Sequence, residues 1–230
     1  EEILKFNQYI IDTINLIEYL DFINGGAINA RTKGYIKPKL KESTESYFIA
    51  EELRHPIVEE LFEEIEYLPH NIQLGKNTNN LGIVLYGING SGKSTLMKSI
   101  GINIIMAQIG YYVAAKKFIL SPYHSIFTRI KGNDNLFKRL SSFYVEMAEL
   151  KAILQRNNSK TLVLADELCR GTEYKSATII VSYMLDRLTK NNSSFITATH
   201  LHNIIELPII KQLENVNVKH ISVEYDNINQ

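Results

Sequence analysis

The run Gly87-Ile88-Asn89-Gly90-Ser91-Gly92-Lys93-Ser94-Thr95 fits the pattern G-x-x-x-x-G-K-[ST], and the chemistry of that spacing is the grip of a polyphosphate. Gly87, Gly90 and Gly92 permit backbone conformations and close approaches that a Cβ forbids. Successive N–H groups can then turn inward and form an anion site at the start of the following helix. Ser91 and Thr95 belong to the same phosphate-facing loop. Lys93 has the reach for β- and γ-phosphates, and the Ser94 hydroxyl is suited to ligate Mg²⁺. Downstream, the apolar run Leu162-Val163-Leu164-Ala165 ends in Asp166-Glu167. If that run is a parallel strand, its carboxyl end faces the ligand crevice. Asp166 is then placed to hold the Mg²⁺ shell, directly or through water. Glu167 is placed to take a proton from a water attacking in line with the γ-phosphate. Thr199-His200 directly follows a second apolar run, Phe195–Ala198, so His200 emerges at the same sheet edge as a γ-phosphate sensor. The implied ligands are ATP or ADP with Mg²⁺, and the implied reaction is ATP hydrolysis, with Lys93, Glu167 and His200 as its catalytic groups. His55, His70, His124, His202 and His220 have no comparable setting and read as structural.

These residues need a scaffold that brings strand ends together. Ile83-Val84-Leu85-Tyr86 is a short apolar run before the glycine loop, as a buried strand should be. Leu96 to Gln108 reads as a helix, with Gly110 at its stop. Phe118–Leu120 and Ile126–Arg129 read as strands, and 141–156 and 176–190 as helices with apolar residues at helical spacing. Strands alternating with helices predict an α/β fold, a central mostly parallel sheet flanked by helices. Ile3, Phe6, Ile10, Ile14, Ile17 and Leu20 predict an amphipathic N-terminal helix, stopped at Asn24-Gly25-Gly26. Residues 27–50 read as a connector with one or two strands. The expected division is 1–50, helix and connector, and 51–230, the nucleotide-binding domain with its loop at 87–95.

With 230 residues, 45% hydrophobic and 22% charged, the composition is that of an ordinary soluble globular chain. Lys+Arg 25 balances Asp+Glu 25, so there is no basic excess of the kind that marks a binder of nucleic-acid backbone. The single cysteine, Cys169, excludes an internal disulfide and a multi-thiolate metal site. No leader or membrane-length apolar run stands in the sequence, which predicts an intracellular, soluble protein with no membrane partner. The chain opens at Glu1, which reads as a piece cut from something longer.

The combined set of glycine loop, Asp-Glu doublet and Thr-His one strand later resembles that of the ABC-type ATPases. Further segments narrow the resemblance to the MutS mismatch-repair ATPases, over roughly residues 50–210. Arg54-His55-Pro56 resembles the family's R-H-P, and Met106-Ala107-Gln108-Ile109-Gly110 its M-A-x-I-G. Ile126-Phe127-Thr128-Arg129-Ile130 resembles I-F-T-R-[IV], and Ser141-Ser142-Phe143-Tyr144-Val145-Glu146-Met147 resembles S-T-F-x-V-E-M. Asp166-Glu167-Leu168-Cys169-Arg170-Gly171-Thr172 is similar to D-E-[IL]-G-R-G-T, and Ala198-Thr199-His200 to A-T-H. The resemblance implies a P-loop ATPase working as a homodimer or a MutS-like heterodimer with composite nucleotide sites. Ser141 would touch the γ-phosphate bound to the partner subunit, Asn89 would help organise that site, and Tyr67 would stack on adenine. The N-terminal helix would end the family's lever, and DNA would be held by domains outside this piece.

The sequence departs from the family pattern at several points. Ile88 stands for a Pro, Ser91 for a Gly, Ala114 for a Pro, and Cys169 for the Gly after the acid pair. Glu173-Tyr174-Lys175-Ser176-Ala177 replaces S-T-x-D-G. Cys169 reads as a buried small residue. Two other readings stay open at this level: an ATP-gated switch with negligible turnover, and another ABC- or SMC-type ATPase.

Overall fold

A computed structural model describes residues 6–61, 67–130, 142–169, 173–200, 204 and 207–222. Its centre is a five-stranded, wholly parallel sheet in the order β6 (Ser125–Arg129), β7 (Thr161–Asp166), β8 (Ser194–Ala198), β4 (Gly82–Tyr86) and β9 (Val216–His220). β7 and β8 are buried at every position, as expected of parallel strands covered on both faces. Side chains alternate between those faces. Ile83, Leu85, Leu162, Leu164 and Ile196 join Leu96, Met97, Ile100 and Ile104 of α3 (Lys93–Gln108) in one core. Val84, Val163, Ala165 and Phe195 join a second core, with Leu150 and Ile153 of α4 (Ser142–Arg156) and Val181, Leu185 and Leu188 of α5 (Tyr174–Lys190). This is the α/β arrangement of a parallel sheet between helices.

The first core also takes in a four-stranded sheet of order β1 (Lys39–Leu40), β5 (Lys117–Ser121), β2 (Tyr47–Leu53) and β3 (His70–Leu74). β2 runs antiparallel to both neighbours, while β1 and β5 are parallel. Phe118–Leu120 is therefore a strand, but of this second sheet, and β3 and the edge strand β9 carry too few apolar residues to announce themselves. The predicted 27–50 connector holds β1 and enters β2, which crosses residue 50.

Helix α1 (Asn7–Lys33) corrects a boundary. It does not stop at Gly25-Gly26 but runs through them to Gly34, whose φ of 65° closes the helix with its N–H on the Ala30 carbonyl. The glycine pair serves close packing instead. Tyr111 lies over Gly26, where a Cβ would come within 3.3 Å of the ring, and the Tyr111 hydroxyl donates to the Phe22 carbonyl at 2.9 Å. Among the described residues of α1, Gly26 alone is buried, and Ile10, Ile14, Ile17 and Leu20 are exposed. No helix among the described residues is long and apolar enough to cross a membrane.

Arg54 ties the end of α1 to the core. Its guanidinium donates to the Lys33 and Gly34 carbonyls at 3.1 and 3.4 Å and lies over the Tyr35 ring. Its own carbonyl accepts from Asn103 Nδ2 of α3 at 3.0 Å. Asn103 is fully buried, and its Oδ1 accepts the Ala114 N–H at 2.8 Å.

The adjacent His55 is buried, and its Nδ1 accepts the N–H groups of Ile57 and Val58, each at 3.2 Å, at the start of α2 (Val58–Leu61). An accepting Nδ1 must be unprotonated. Burial, with a smaller push from Lys98, holds the His55 pKa below its ordinary 6.5. Burial and Lys219 do the same to His70. A depressed histidine pKa contributes stability that is complete above the unfolded value and lost as pH falls through 6.5 towards the folded one. Urea unfolding at pH 7.5 and 5.5 should therefore give a lower free energy at pH 5.5. His55→Ala should lose about 1–2 kcal/mol at pH 7.5 through the orphaned N–H groups, and should flatten the pH slope. An unchanged slope in that variant would remove His55 as a source.

Candidate functional site

The strand order brings three chain segments to one edge of the parallel sheet. β8 follows β7 in sequence, yet in space it lies between β7 and β4. The register sets Leu85 and Asp166 on either side of Ala198. Two further bonds carry the ladder past the strand ends: Glu167 N–H donates to the Ala198 carbonyl and Thr199 N–H to the Leu85 carbonyl, both at 2.9 Å. The Gly87 loop, the Asp166-Glu167 doublet and the exposed His200 thus share the carboxyl edge, as the sequence predicts. His200 follows β8, which lies between the strands that carry the other two.

The glycine loop is tightly constrained. Gly87 has φ 152°, and a Cβ there would sit 2.4 Å from the Ile221 carbonyl oxygen at the end of β9. Gly90 and Gly92 have φ of 83° and 93°. Gly92 opens α3, and among the described residues no side chain caps the first turn of that helix, so its N-terminal amides keep the positive end of the helix dipole open to an anion. Lys93 is 6% exposed and bends back over the loop, where Nζ donates to the Gly87 and Ile88 carbonyls, each at 2.8 Å. Ser94 Oγ donates to Asp166 Oδ2 at 2.5 Å, and Asp166 is also 6% exposed. Ser91 Oγ is buried with no hydrogen-bond partner among the described residues. A concavity of about 160 Å³ is lined by Asn89, Gly90, Gly92, Lys93, Ser94, Thr95 and Glu167. Amides and the Lys93 ammonium, with the Glu167 carboxylate in the same lining and Asp166 bonded to Ser94 behind it, make a place for an anion that carries a hard cation.

The turn after β7 is unusual. Glu167 and Cys169 have φ of 46° and 59°, in the left-handed region that non-glycine residues seldom enter. This explains the glycine the family pattern carries where Cys169 stands. Cys169 is 1% exposed and its N–H donates to Glu146 Oε1 at 2.8 Å. Burial, seconded by Glu146, pushes its thiol up to about 11, so it is a packed small residue and not a thiolate nucleophile. The sequence includes Glu146 in the S-T-F-x-V-E-M match without giving it a role of its own. A signal existed: an acid four and seven residues before Leu150 and Ile153, on the face of α4 that meets the core.

Tyr67 stands apart from the concavity. It is half-buried, its hydroxyl donates to Ser99 Oγ of α3 at 3.4 Å, and its ring meets His55 and His70 edge-on. His70 in turn lines a second cavity, of about 240 Å³, between β3 and β9, with Leu96, Lys219 and His220 at its other walls. His220 also packs on Tyr86, with ring centroids 4.8 Å apart. At the α5 N-terminus, Glu173 accepts the Ser176 N–H at 3.1 Å and Oγ at 2.9 Å, so the departure at 173–177 retains a helix cap. Ser141, Arg170-Gly171-Thr172 and His202 lie outside the described residues.

Comparison with known proteins agrees with this geometry. Residues 83–230 match MutS domain V. A mutS homolog of Acanthamoeba polyphaga mimivirus is 42% identical, covering 93% of this chain and 22% of its own length. A mitochondrial DNA mismatch repair protein mutS homolog of Sarcophyton glaucum is 40% identical, over 88% of this chain and 21% of its own. The DNA mismatch repair protein MutS of Prochlorococcus marinus is 37% identical, over 92% and 23%. The chain spans about a fifth of the length of these relatives. With a family match over well over half its residues and the site in the order that family's motifs require, the chain belongs to the MutS family of DNA mismatch repair proteins.

Proposed function

We propose that this chain binds and hydrolyses ATP with Mg²⁺ and converts that cycle into movement of α1. The observation that carries the reading is the short Ser94–Asp166 contact beside a glycine loop whose concavity also holds Lys93 and Glu167. The residues fit the ligands. The N-terminal amides of α3, which opens at Gly92 beside the concavity, suit phosphate oxygens. Ser94 Oγ and the Asp166 carboxylate are hard oxygen donors suited to Mg²⁺, which when bound would neutralise charge on the β- and γ-phosphates. Lys93 Nζ would exchange its two loop carbonyls for phosphate oxygens. Glu167 would orient the attacking water and accept its proton. His200 would sense the γ-phosphate, Asn89 would help organise the site, and Tyr67 would stack on adenine.

By family likeness, the site is completed by a second subunit, with Ser141 reaching the γ-phosphate held by its partner. The Asn103–Arg54–α1 linkage supports transmission, because α3 begins at the glycine loop and holds Arg54, which holds the end of α1. DNA would be held by parts of the longer protein outside these 230 residues.

ATP turnover measured across a range of chain concentrations tests the reading. Rate per chain should rise with concentration, and Ser141→Ala should lower it about tenfold or more. A flat rate per chain with a silent Ser141→Ala would sink the composite site and favour a self-contained switch.

A further inference from the structure

The turn Asp166–Cys169 places two non-glycine residues, Glu167 and Cys169, in left-handed conformations. Such conformations cost free energy and persist only where the surroundings impose them. Two anchors do so. On one side the Glu167 N–H is held by the Ala198 carbonyl at 2.9 Å. On the other the Cys169 N–H is held by Glu146 Oε1 at 2.8 Å. Glu146 is 7% exposed and lies on the core-facing stripe of α4 with Leu150 and Ile153, a costly place for a carboxylate unless a charge-assisted bond compensates it. Glu146 does not line the concavity of the glycine loop, whereas Glu167 does.

We infer that Glu146 is a positioning residue for Glu167: by clamping the Cys169 amide it fixes the turn that aims the Glu167 carboxylate. The inference rests on the hydrolytic reading above. Without the clamp, Cys169 is free to leave its left-handed conformation, and the change passes through buried Leu168 to Glu167. Nucleotide binding depends on the glycine loop and should persist, while the proton-accepting step should suffer. Displacement of a reacting group by about 1 Å costs on the order of 10²-fold in rate.

The test compares Glu146→Ala, Glu146→Gln, Leu150→Ala and Glu167→Gln with the parent chain, reading kcat and KM for Mg-ATP and the alkylation rate of Cys169. Cys169 is the chain's single cysteine and is buried, so its alkylation reports opening of this turn. Glu146→Ala should lower kcat about tenfold or more with KM within about twofold, and should speed alkylation about tenfold or more, well below the unfolding temperature. Glu146→Gln keeps an acceptor oxygen and should restore both. Leu150→Ala, a cavity in the same helix face, should lower the unfolding temperature with little change in kcat, which separates positioning from general destabilisation. The inference is overturned if Glu146→Ala keeps kcat while Glu167→Gln loses it, or if Leu150→Ala matches Glu146→Ala in both readouts. If the parent chain shows no turnover, the hydrolytic reading fails by itself. Alkylation then decides whether Glu146 holds the turn, and unchanged alkylation in Glu146→Ala overturns the clamp as well.

Discussion

Lys93→Ala is expected to weaken ATP binding by about 30- to 150-fold, read by titration with a fluorescent ATP analogue at fixed salt. Lys93 is the cation lining the concavity of the glycine loop, and it is 94% removed from solvent by its 6% exposure. A contact from such a group to phosphate is charge-assisted and poorly screened, worth roughly 2–3 kcal/mol, and every 1.4 kcal/mol is tenfold in affinity. In the present geometry its ammonium bonds to the Gly87 and Ile88 carbonyls, so it is held over the loop and needs only a short movement to meet a phosphate. The substitution should cost the fold little, about 1 kcal/mol, since the loop's shape is set by its left-handed glycines and by the Ile221 backbone against Gly87. Arginine is not a conservative replacement, because its planar fork is bulkier than an ammonium and cannot sit on the same two carbonyls. Unchanged affinity in Lys93→Ala would mean that the concavity does not grip a triphosphate.

The parts of this molecule legible in its sequence share one property: their signal is local. The glycine loop, the Asp166-Glu167 doublet and the strands Ile83–Tyr86, Leu162–Ala165 and Phe195–Ala198 are contiguous runs whose composition dictates their conformation. The structure sets them at one sheet edge, as parallel pairing requires. What stayed hidden depends on partners far away in the chain. Gly25-Gly26 reads as a helix stop until Tyr111 is seen lying on it. β3 and β9, with sequences HNIQL and VNVKH, are short alternating runs that become strands only where β2 and β4 supply their hydrogen bonds. The second sheet is hidden for the same reason, because its strands come from positions 39 to 121 with the glycine loop and α3 between them. Glu146 shares the core-facing stripe of α4 with Leu150 and Ile153, but what it holds there shows only in the bond it accepts from the Cys169 amide.

The second large effect is a contrast between neighbouring acids. Glu167→Gln should lower turnover by about 10²–10³-fold while leaving Mg-dependent ATP binding within a few-fold of the parent, because an amide keeps the shape of the carboxylate but cannot accept a proton. Asp166→Asn should act at the earlier step. Its Oδ2 is 2.5 Å from Ser94 Oγ, and neutralising it removes the anionic donor from the proposed Mg²⁺ shell. The gain in ATP affinity on adding Mg²⁺ should then shrink about tenfold or more, with turnover lost as a consequence. Both side chains sit at the end of β7, one buried and one half-buried. The difference between the variants therefore reports chemistry and not exposure or loss of fold, provided their thermal unfolding stays close to the parent's. Equal loss of Mg-dependent binding in both would show that the two carboxylates share the cation and that neither is reserved for the attacking water. Retained turnover in Glu167→Gln would remove it as the proton acceptor, leaving the concavity as a nucleotide-gated switch whose movement of α1 follows binding alone.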